Sequence, residues 1–493
     1  MSPQRNPWPA LIAMVIGFFL TTADMMVVMV INPVILRAMD ASVPQVIWVT
    51  SAYLLAFAVP LLICGRLGDR FGPKYIYLAG LAVFTLASLW CGLAQSIGML
   101  IAARVVQGLG ASLMTPQTMA VITRTFPAAK RSAAMSLWGA TAGFALLVGP
   151  ILGGTLSDTL GWRWIFFINI PVGVVGLALG LWLVPTLRPN PHRFDILGVV
   201  LSAVGMFLLV YGLQEGDIRN WDALIRSMIA GGVVVLAVFV FTQARGGGEP
   251  LLPLRLFRDR NFALGNIAIV STGATATAAM VPLYFFLEVV RGMSPTRSAL
   301  VFAPMAAMML VFAPVVGKIG ERAHPRLFPL LGFTLYAVTI IAMSALMSAD
   351  APTVWFVLVG AVTGFANACT WAPLAATATR NLPEQQAGAG SGVYNALRQV
   401  GSVIGSAAIA AAMTARMSAH GLAEGKIAAS GTAALPEAAK EPLGSALSQT
   451  MYLPVGFLAA GIVAALLFES TTRGADDGVT PTDPSRPAES ATV

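Results

Sequence analysis

Apolar runs of about twenty residues recur along the 493-residue chain, divided by short connections that carry nearly all of its charge. They lie near 9–36, 46–64, 75–95, 97–122, 133–156, 164–184, 195–214 and 225–243, then near 262–288, 298–316, 327–347, 353–376, 389–414 and 451–468. Each is long enough to cross a hydrocarbon core of about 30 Å. A single segment surrounded by lipid satisfies its own backbone hydrogen bonds only as a helix, so the pattern predicts an all-α polytopic membrane protein of fourteen helices. The first run follows a polar lead, 1–8, that contains Arg5. It has no small-residue cleavage site behind a short apolar stretch and reads as a retained span. The stretch 470–493 is rich in Pro, Asp, Thr and Ser and reads as a disordered tail. The Ala/Gly-rich connection 415–450 has no structure that the pattern specifies.

Composition agrees with lipid as the main solvent. Only 11% of residues are charged and 57% are hydrophobic, against roughly 25% charged in soluble domains, and the mean hydropathy is +0.78. A soluble multidomain enzyme is excluded. The net charge of +8 reads as loop topology, and no nucleic-acid partner is expected. Connections on the side of the N-terminus hold 19 Lys and Arg residues and the opposite ones 9, which places both termini in the cytoplasm. Arginine outnumbers lysine 25 to 5 beside abundant Ala and Gly, which points to a GC-rich bacterial source and a cytoplasmic-membrane location. Cys64, Cys91 and Cys369 lie in apolar runs without paired spacing, so neither disulfides nor a metal site is expected. No Walker sequence is present, so no nucleotide is expected.

Two loops match without gaps 252 residues apart: Gly65-Arg-Leu-Gly-Asp-Arg-Phe-Gly-Pro-Lys74 and Gly317-Lys-Ile-Gly-Glu-Arg-Ala-His-Pro-Arg326. The first joins spans 2 and 3, the second spans 10 and 11. A six-helix repeat then gives an N-terminal half at 9–184, an inserted pair at 195–243 and a C-terminal half at 262–468, a layout known from transporters built of parallel repeats. In the loop, Gly65 and Gly68 permit close approach of helices, and Gly72 completes the glycine set. Asp69 can accept hydrogen bonds from a helix N-terminus, while Arg66, Arg70 and Lys74 can bind carboxylates or helix C-termini. Simple topogenic charge would require the basic residues but not the ordered glycines and acid.

The chain resembles the major facilitator superfamily and, within it, the fourteen-span drug–proton antiporters. The resemblance rests on Gly65 to Lys74, on Arg104-Val-Val-Gln-Gly-Leu-Gly110 in span 4, and on Gly143 to Gly154 in span 5. Trp162-Arg-Trp-Ile-Phe-Phe-Ile-Asn-Ile-Pro171 in span 6 adds to it. Pro73 stands where the family has a basic residue, and the Met-rich stretch after Asp24 departs from the family's polar pattern up to Pro33. The resemblance implies export in exchange for protons, a gating role for the loop with Gly65, Gly68, Asp69, Arg70, Gly72 and Lys74, and an antiporter helix marked by Gly143, Gly149, Pro150, Gly153 and Gly154. It also implies that Arg104 tunes a nearby acid in proton transfer.

Three charges lie well inside spans: Asp24, Arg104 and Arg398. A carboxylate at mid-membrane costs roughly 2.5–3.5 kcal/mol, so Asp24 should face the bundle or a cavity. Burial favours its neutral form and a nearby cation its charged form, which suits proton coupling. A structural carboxylate fixed by hydrogen bonds is the competing reading. Arg104 cannot lose its proton and needs a partner, unless it snorkels outward. Gln107, one turn on, can share its network. Arg398 needs a partner too, either Asp24 or a substrate anion. Tyr53, Asn169, Asn266, Asn367, Trp371, Tyr394 and Asn395 are further polar or aromatic positions able to line a substrate path, each equally able to be a packing contact. Glu288 near Arg291 reads as an interfacial ion pair, with cation binding as the alternative. The glycine steps Gly139/Gly143 and Gly149/Gly153 form small-residue strips suited to rocking at the junction of the halves.

The resulting expectation is a monomeric, non-enzymatic, cofactor-free exporter of amphipathic or lipophilic small molecules, driven by the proton gradient through alternating access. The alternatives are a dedicated exporter of a lipid or secondary metabolite, an uptake symporter, and a membrane sensor.

Overall fold

The structure is a computed structural model and describes residues 6–41, 43–189, 195–216, 219, 221–245, 250–293, 295–320, 322–347, 351–420 and 437–469. Among them there is no β-strand. The expected tail at 470–493, the centre of the 415–450 connection (421–436) and Glu321 of the second loop lie outside the described residues.

The N-terminal half comprises α1 (Trp8–Ala38), α2 (Val43–Ala58), α3 (Leu61–Phe71), α4 (Pro73–Gly92), α5 (Ile97–Thr125), α6 (Ala128–Thr159), α7 (Trp164–Phe167) and α8 (Asn169–Leu183). The inserted pair is α9 (Ile196–Glu215) and α10 (Ala223–Arg245). The C-terminal half comprises α11 (Arg260–Phe285), α12 (Pro295–Val301), α13 (Ala303–Gly320), α14 (Leu327–Leu346), α15 (Thr353–Ala378), α16 (Ala387–Ala419), α17 (Glu437–Thr450) and α18 (Tyr452–Leu466). Among the described residues, twelve helical stretches are long and apolar enough to cross a membrane, and the α2–α3 pair, bent by 46°, brings the number to thirteen. Pro60 at that break has no N–H to continue the helical ladder, which accounts for the bend. The repeated loop is therefore shorter than the sequence indicated: α3 carries it through Phe71, and only Gly72, at φ +92°, turns the chain into α4.

The ends of several helices are capped by side chains. Ser96 accepts the Met99 N–H at the start of α5, Asp195 the Gly198 N–H at α9, and Asp259 the Phe262 N–H at α11. Large apolar side chains point outward, including Trp182 at 80% exposure, Ile196 at 73% and Leu86 at 67%, as expected where lipid replaces water.

The halves meet through α3 and α5 against α16, and through α6 against α13 and α15. Spans 2 and 10 correspond under the repeat, as do spans 5 and 13. The α3–α16 contact is thus span 2 on span 13, and the α6–α13 contact is span 5 on span 10, its repeat-related counterpart. The inserted pair packs on itself and reaches the bundle through α9 against α2 and α16.

Candidate functional site

The interior of the N-terminal half is organised around Asp24. α1 carries it, α5 brings Arg104 and Gln107, and α8 brings Asn169. The Asp24 Oδ2 accepts from Arg104 Nη1 at 2.5 Å, and Oδ1 accepts from Gln107 Nε2 and Asn169 Nδ2, each at 3.0 Å. Asp24 is 2% exposed and Arg104 0%. The groups that meet the carboxylate through these three bonds are all donors. Arg104 also donates to Gln107 Oε1 at 2.6 Å and to the Val49 carbonyl at 3.1 Å, and lies over the Tyr53 ring with its central carbon 4.2 Å from the centroid. Tyr53 in turn donates to the Thr21 carbonyl at 3.3 Å. Among the described residues this is the one ion pair in the protein interior; the other two lie at exposed positions.

Arg104 therefore does not snorkel, and its guanidinium turns inward to the acid. The expected pairing of Asp24 with Arg398 does not form, because Arg104 and two amides already occupy the carboxylate. Ser88 was missed by sequence reasoning. Its Oγ accepts from Gln107 Nε2 at 2.7 Å and closes the network from α4. The only sequence signal was a hydroxyl in mid-span, too common in membrane helices to single out.

The C-terminal half is different. Asn266, Asn367 and Asn395 each donate back to the carbonyl four residues earlier, Phe262, Thr363 and Ser391, at 2.8–3.0 Å. Asn367 Oδ1 accepts from Trp371 Nε1 at 3.0 Å and orients that ring. The Arg398 guanidinium lies 5.9 Å from the Trp371 centroid. Arg398 Nε, Tyr394 OH, Ser391 Oγ, Asn395 Oδ1 and Asn266 Oδ1 are buried without a hydrogen-bond partner, as is Trp138 Nε1 in α6. The expected Glu288–Arg291 ion pair is absent among the described residues: Arg291 instead donates to the Ala351 carbonyl and to Thr353 Oγ1. Glu288 lies within a π-helical turn, Phe286–Val290, and Arg291 caps its end.

At one end of the bundle the loop residues tie the halves together. Asp69 accepts the N–H groups of Gly388 at 2.9 Å and Ala389 at 2.8 Å, the first residues but one of α16. A Cβ at Gly65 would collide with the Gly388 carbonyl, so glycine is required for that approach. Lys74 donates to the Leu181 carbonyl at the end of α8, and Arg66 to the Pro250 carbonyl after α10. Arg70 lies over the Phe71 ring, and Gly68 packs against Gln117. Arg131 adds a second tie, donating to the carbonyls of Thr379 and Arg380 at the end of α15.

The span 5 glycines do not act as one strip at the junction. Gly139 and Gly143 face Ala372 and Met309 across the halves, whereas Gly149 and Gly153 face Met26 and Val27 of α1 within their own half. Gly154 meets nothing within 4 Å. Ten residues separate Gly139 from Gly149, which is about 280° beyond two full turns, so the two steps lie on different faces of α6. α6 runs through Pro150 as one helix.

Comparison with known proteins fits this architecture. The chain is 50% identical over 478 residues to Rv1250, an uncharacterized MFS-type transporter of Mycobacterium tuberculosis, covering 96% of this chain and 82% of that one. It is 34% identical over 417 residues to the tetracenomycin C resistance and export protein of Streptomyces glaucescens, covering 82% and 76%. Its fold is similar to that of the human organic anion transporter MFSD10, with a TM-score of 0.63 at 14% identity over 93% of this chain and all of that one. The sequence model of the Major Facilitator Superfamily matches residues 14–406, and the chain belongs to that superfamily of transporters and is not an enzyme.

Proposed function

We propose that the protein is a proton-coupled exporter of amphipathic or lipophilic small molecules that works by alternating access in a bacterial cytoplasmic membrane. The observation that carries this reading is the sealed Asp24–Arg104 pair, with Gln107, Asn169 and Ser88 around it. Protonating Asp24 replaces an ion pair by a neutral acid beside an unpaired guanidinium, and breaking such a buried pair costs about 3–5 kcal/mol. That is enough to favour a different arrangement of the halves. Because Asp24 is 2% exposed, a proton reaches it only after such a rearrangement, which is the order that coupling requires. One proton crossing 100 mV releases about 2.3 kcal/mol and sustains a gradient of about forty- to fifty-fold per proton.

On this reading the Asp69 end is cytoplasmic, as the excess of basic residues on that side supports, and both termini lie there. On the same reading α6, 32 residues long and packed between α1 and α13, serves as a fourteenth span, which supports membership of the fourteen-span branch. The protein works as a monomer, without nucleotide or cofactor. A dedicated exporter of one secondary metabolite is the second reading, favoured by the similarity to a relative named for tetracenomycin C.

Proteoliposomes with an imposed pH gradient test the reading. Wild type moves protons when an exported dye or drug is added, and Asp24→Asn abolishes that movement. Unchanged coupling in Asp24→Asn removes the acid from the mechanism.

A further inference from the structure

Of the three charges in the span interiors, Asp24 and Arg104 neutralise one another and Arg398 is left over. It lies eleven residues into α16, about 17 Å from the start of that helix and so near the middle of the bilayer. An arginine at that depth is costly unless it meets a counter-charge. Among the described residues no acid lies within ion-pair distance of it, and its Nε has no hydrogen-bond partner. The positions around it are similarly unfilled. Ser391, Tyr394, Asn395 and Arg398 recur at helical spacing along one face of α16, and each has a buried polar atom without a partner. On neighbouring helices, Trp371 lies under the guanidinium. Trp138 of α6, whose indole N–H is also unpartnered, stacks on Phe18 of α1 with ring centroids 4.5 Å apart. Orphaned buried polar groups are rare in native proteins and call for an explanation. Three of these, Arg398 Nε, Trp138 Nε1 and Tyr394 OH, are donors, and the first two cannot accept.

We propose that the C-terminal half holds an anion-binding subsite, in which Arg398 takes the carboxylate, phenolate or sulfonate of an aromatic organic anion while Trp371 and Tyr394 cover its rings. The missing counter-charge of Arg398 is then the cargo itself. The inference deepens the export reading by naming the substrate class, and it depends on that reading only for the direction of transport. Exchange of a monoanion for one proton moves two elementary charges in the same electrical sense, so an inside-negative potential drives anion export harder than export of a neutral compound.

Binding can be measured without any gradient, by fluorescence anisotropy of purified protein in nanodiscs of zwitterionic lipid. Fluorescein and rhodamine 123 share a xanthene core and differ in charge sign, so they form a matched pair of probes. Wild type is expected to bind fluorescein more tightly than rhodamine 123. Arg398→Gln should weaken fluorescein binding about tenfold or more, the scale of one charged hydrogen bond, and leave rhodamine 123 binding unchanged or tighter. Arg398→Lys should restore part of the loss. The wild-type comparison stands even if a variant does not fold. Wild type that prefers rhodamine 123 or binds neither probe overturns the subsite, and so does a folded Arg398→Gln that binds fluorescein with unchanged affinity. Protein that binds fluorescein through Arg398 but shows no proton-linked movement of it retains the subsite and loses the export reading.

Discussion

Arg104 and Arg398 are the same residue type inside helices of opposite halves, yet their surroundings differ. Arg104 is fully buried, with Asp24, the Gln107 amide, the Val49 carbonyl and the Tyr53 ring around it. Arg398 has the Trp371 ring beside it and no acid among the described residues. The N-terminal half thus satisfies the Asp24 carboxylate internally, although Arg104 Nη2 itself is buried without a hydrogen-bond partner. In the C-terminal half, Asn266 and Asn395 turn their amide N–H groups back onto their own helices and leave their oxygens without a partner, whereas Asn367 Oδ1 accepts from Trp371. An arginine whose acid is built into the protein is fixed by that pairing, whereas an arginine without one keeps an unneutralised charge.

The comparison breaks most easily at the arginines themselves. Arg104→Gln should destabilise the folded protein by about 3–5 kcal/mol, since it leaves a buried carboxylate without its cation. Arg398→Gln should change stability by no more than about 1 kcal/mol, because no fixed partner loses its mate. Scanning fluorimetry of the two purified variants checks this directly, and equal losses would mean that Arg398 has a hidden partner. The join between the halves gives a smaller effect. Asp69→Ala leaves the Gly388 and Ala389 N–H groups without their acceptor, at about 1–3 kcal/mol. It should therefore raise labelling of single cysteines placed along the α3–α16 contact. Unaltered labelling would mean that Asp69 does not hold that end shut.

The glycines of α6 sharpen the comparison further. A Cβ at Gly149 would come within 2.9 Å of the Met26 Cβ, so Gly149→Ala overpacks the N-terminal half at about 1–3 kcal/mol. At Gly143 the nearest atoms, 3.3 Å away, belong to the flexible Met309 side chain. Gly143→Ala should cost less than about 1 kcal/mol and act mainly on transport rate, through the junction of the halves. Gly154→Ala meets nothing within 4 Å and should stabilise the helix by about 0.5–1 kcal/mol. Thermal unfolding of the three variants in one detergent gives their order, and a Gly143→Ala loss equal to that of Gly149→Ala would contradict the two-face assignment.

Much of the fold was legible because membrane helices announce themselves locally: lipid demands long apolar stretches, and the repeated loop marks where the halves correspond. Within the candidate site, legibility followed sequence distance. Gln107 could be assigned to Arg104 because three residues on a helix share a face. Asn169 and Tyr53 were recognisable as polar positions inside spans, but not as members of the Asp24 network, since 145 residues separate Asn169 from the acid. Ser88 gave no usable signal. The Glu288–Arg291 pair followed from spacing, but Arg291 caps a π-helical turn, invisible in composition, and donates to Ala351 and Thr353 instead.

By itself the sequence determined that the chain is built of helices long and apolar enough for lipid, and that only Asp24, Arg104 and Arg398 bring charge deep into the apolar runs. Those properties follow from transfer free energies and periodicity, which act residue by residue. Tertiary structure alone decided which arginine meets the acid, which glycines face the other half, and which polar atoms remain unpartnered. Each of those depends on how helices distant in sequence rotate against one another, and a rotation of one face changes every pairing without changing a single residue's hydropathy.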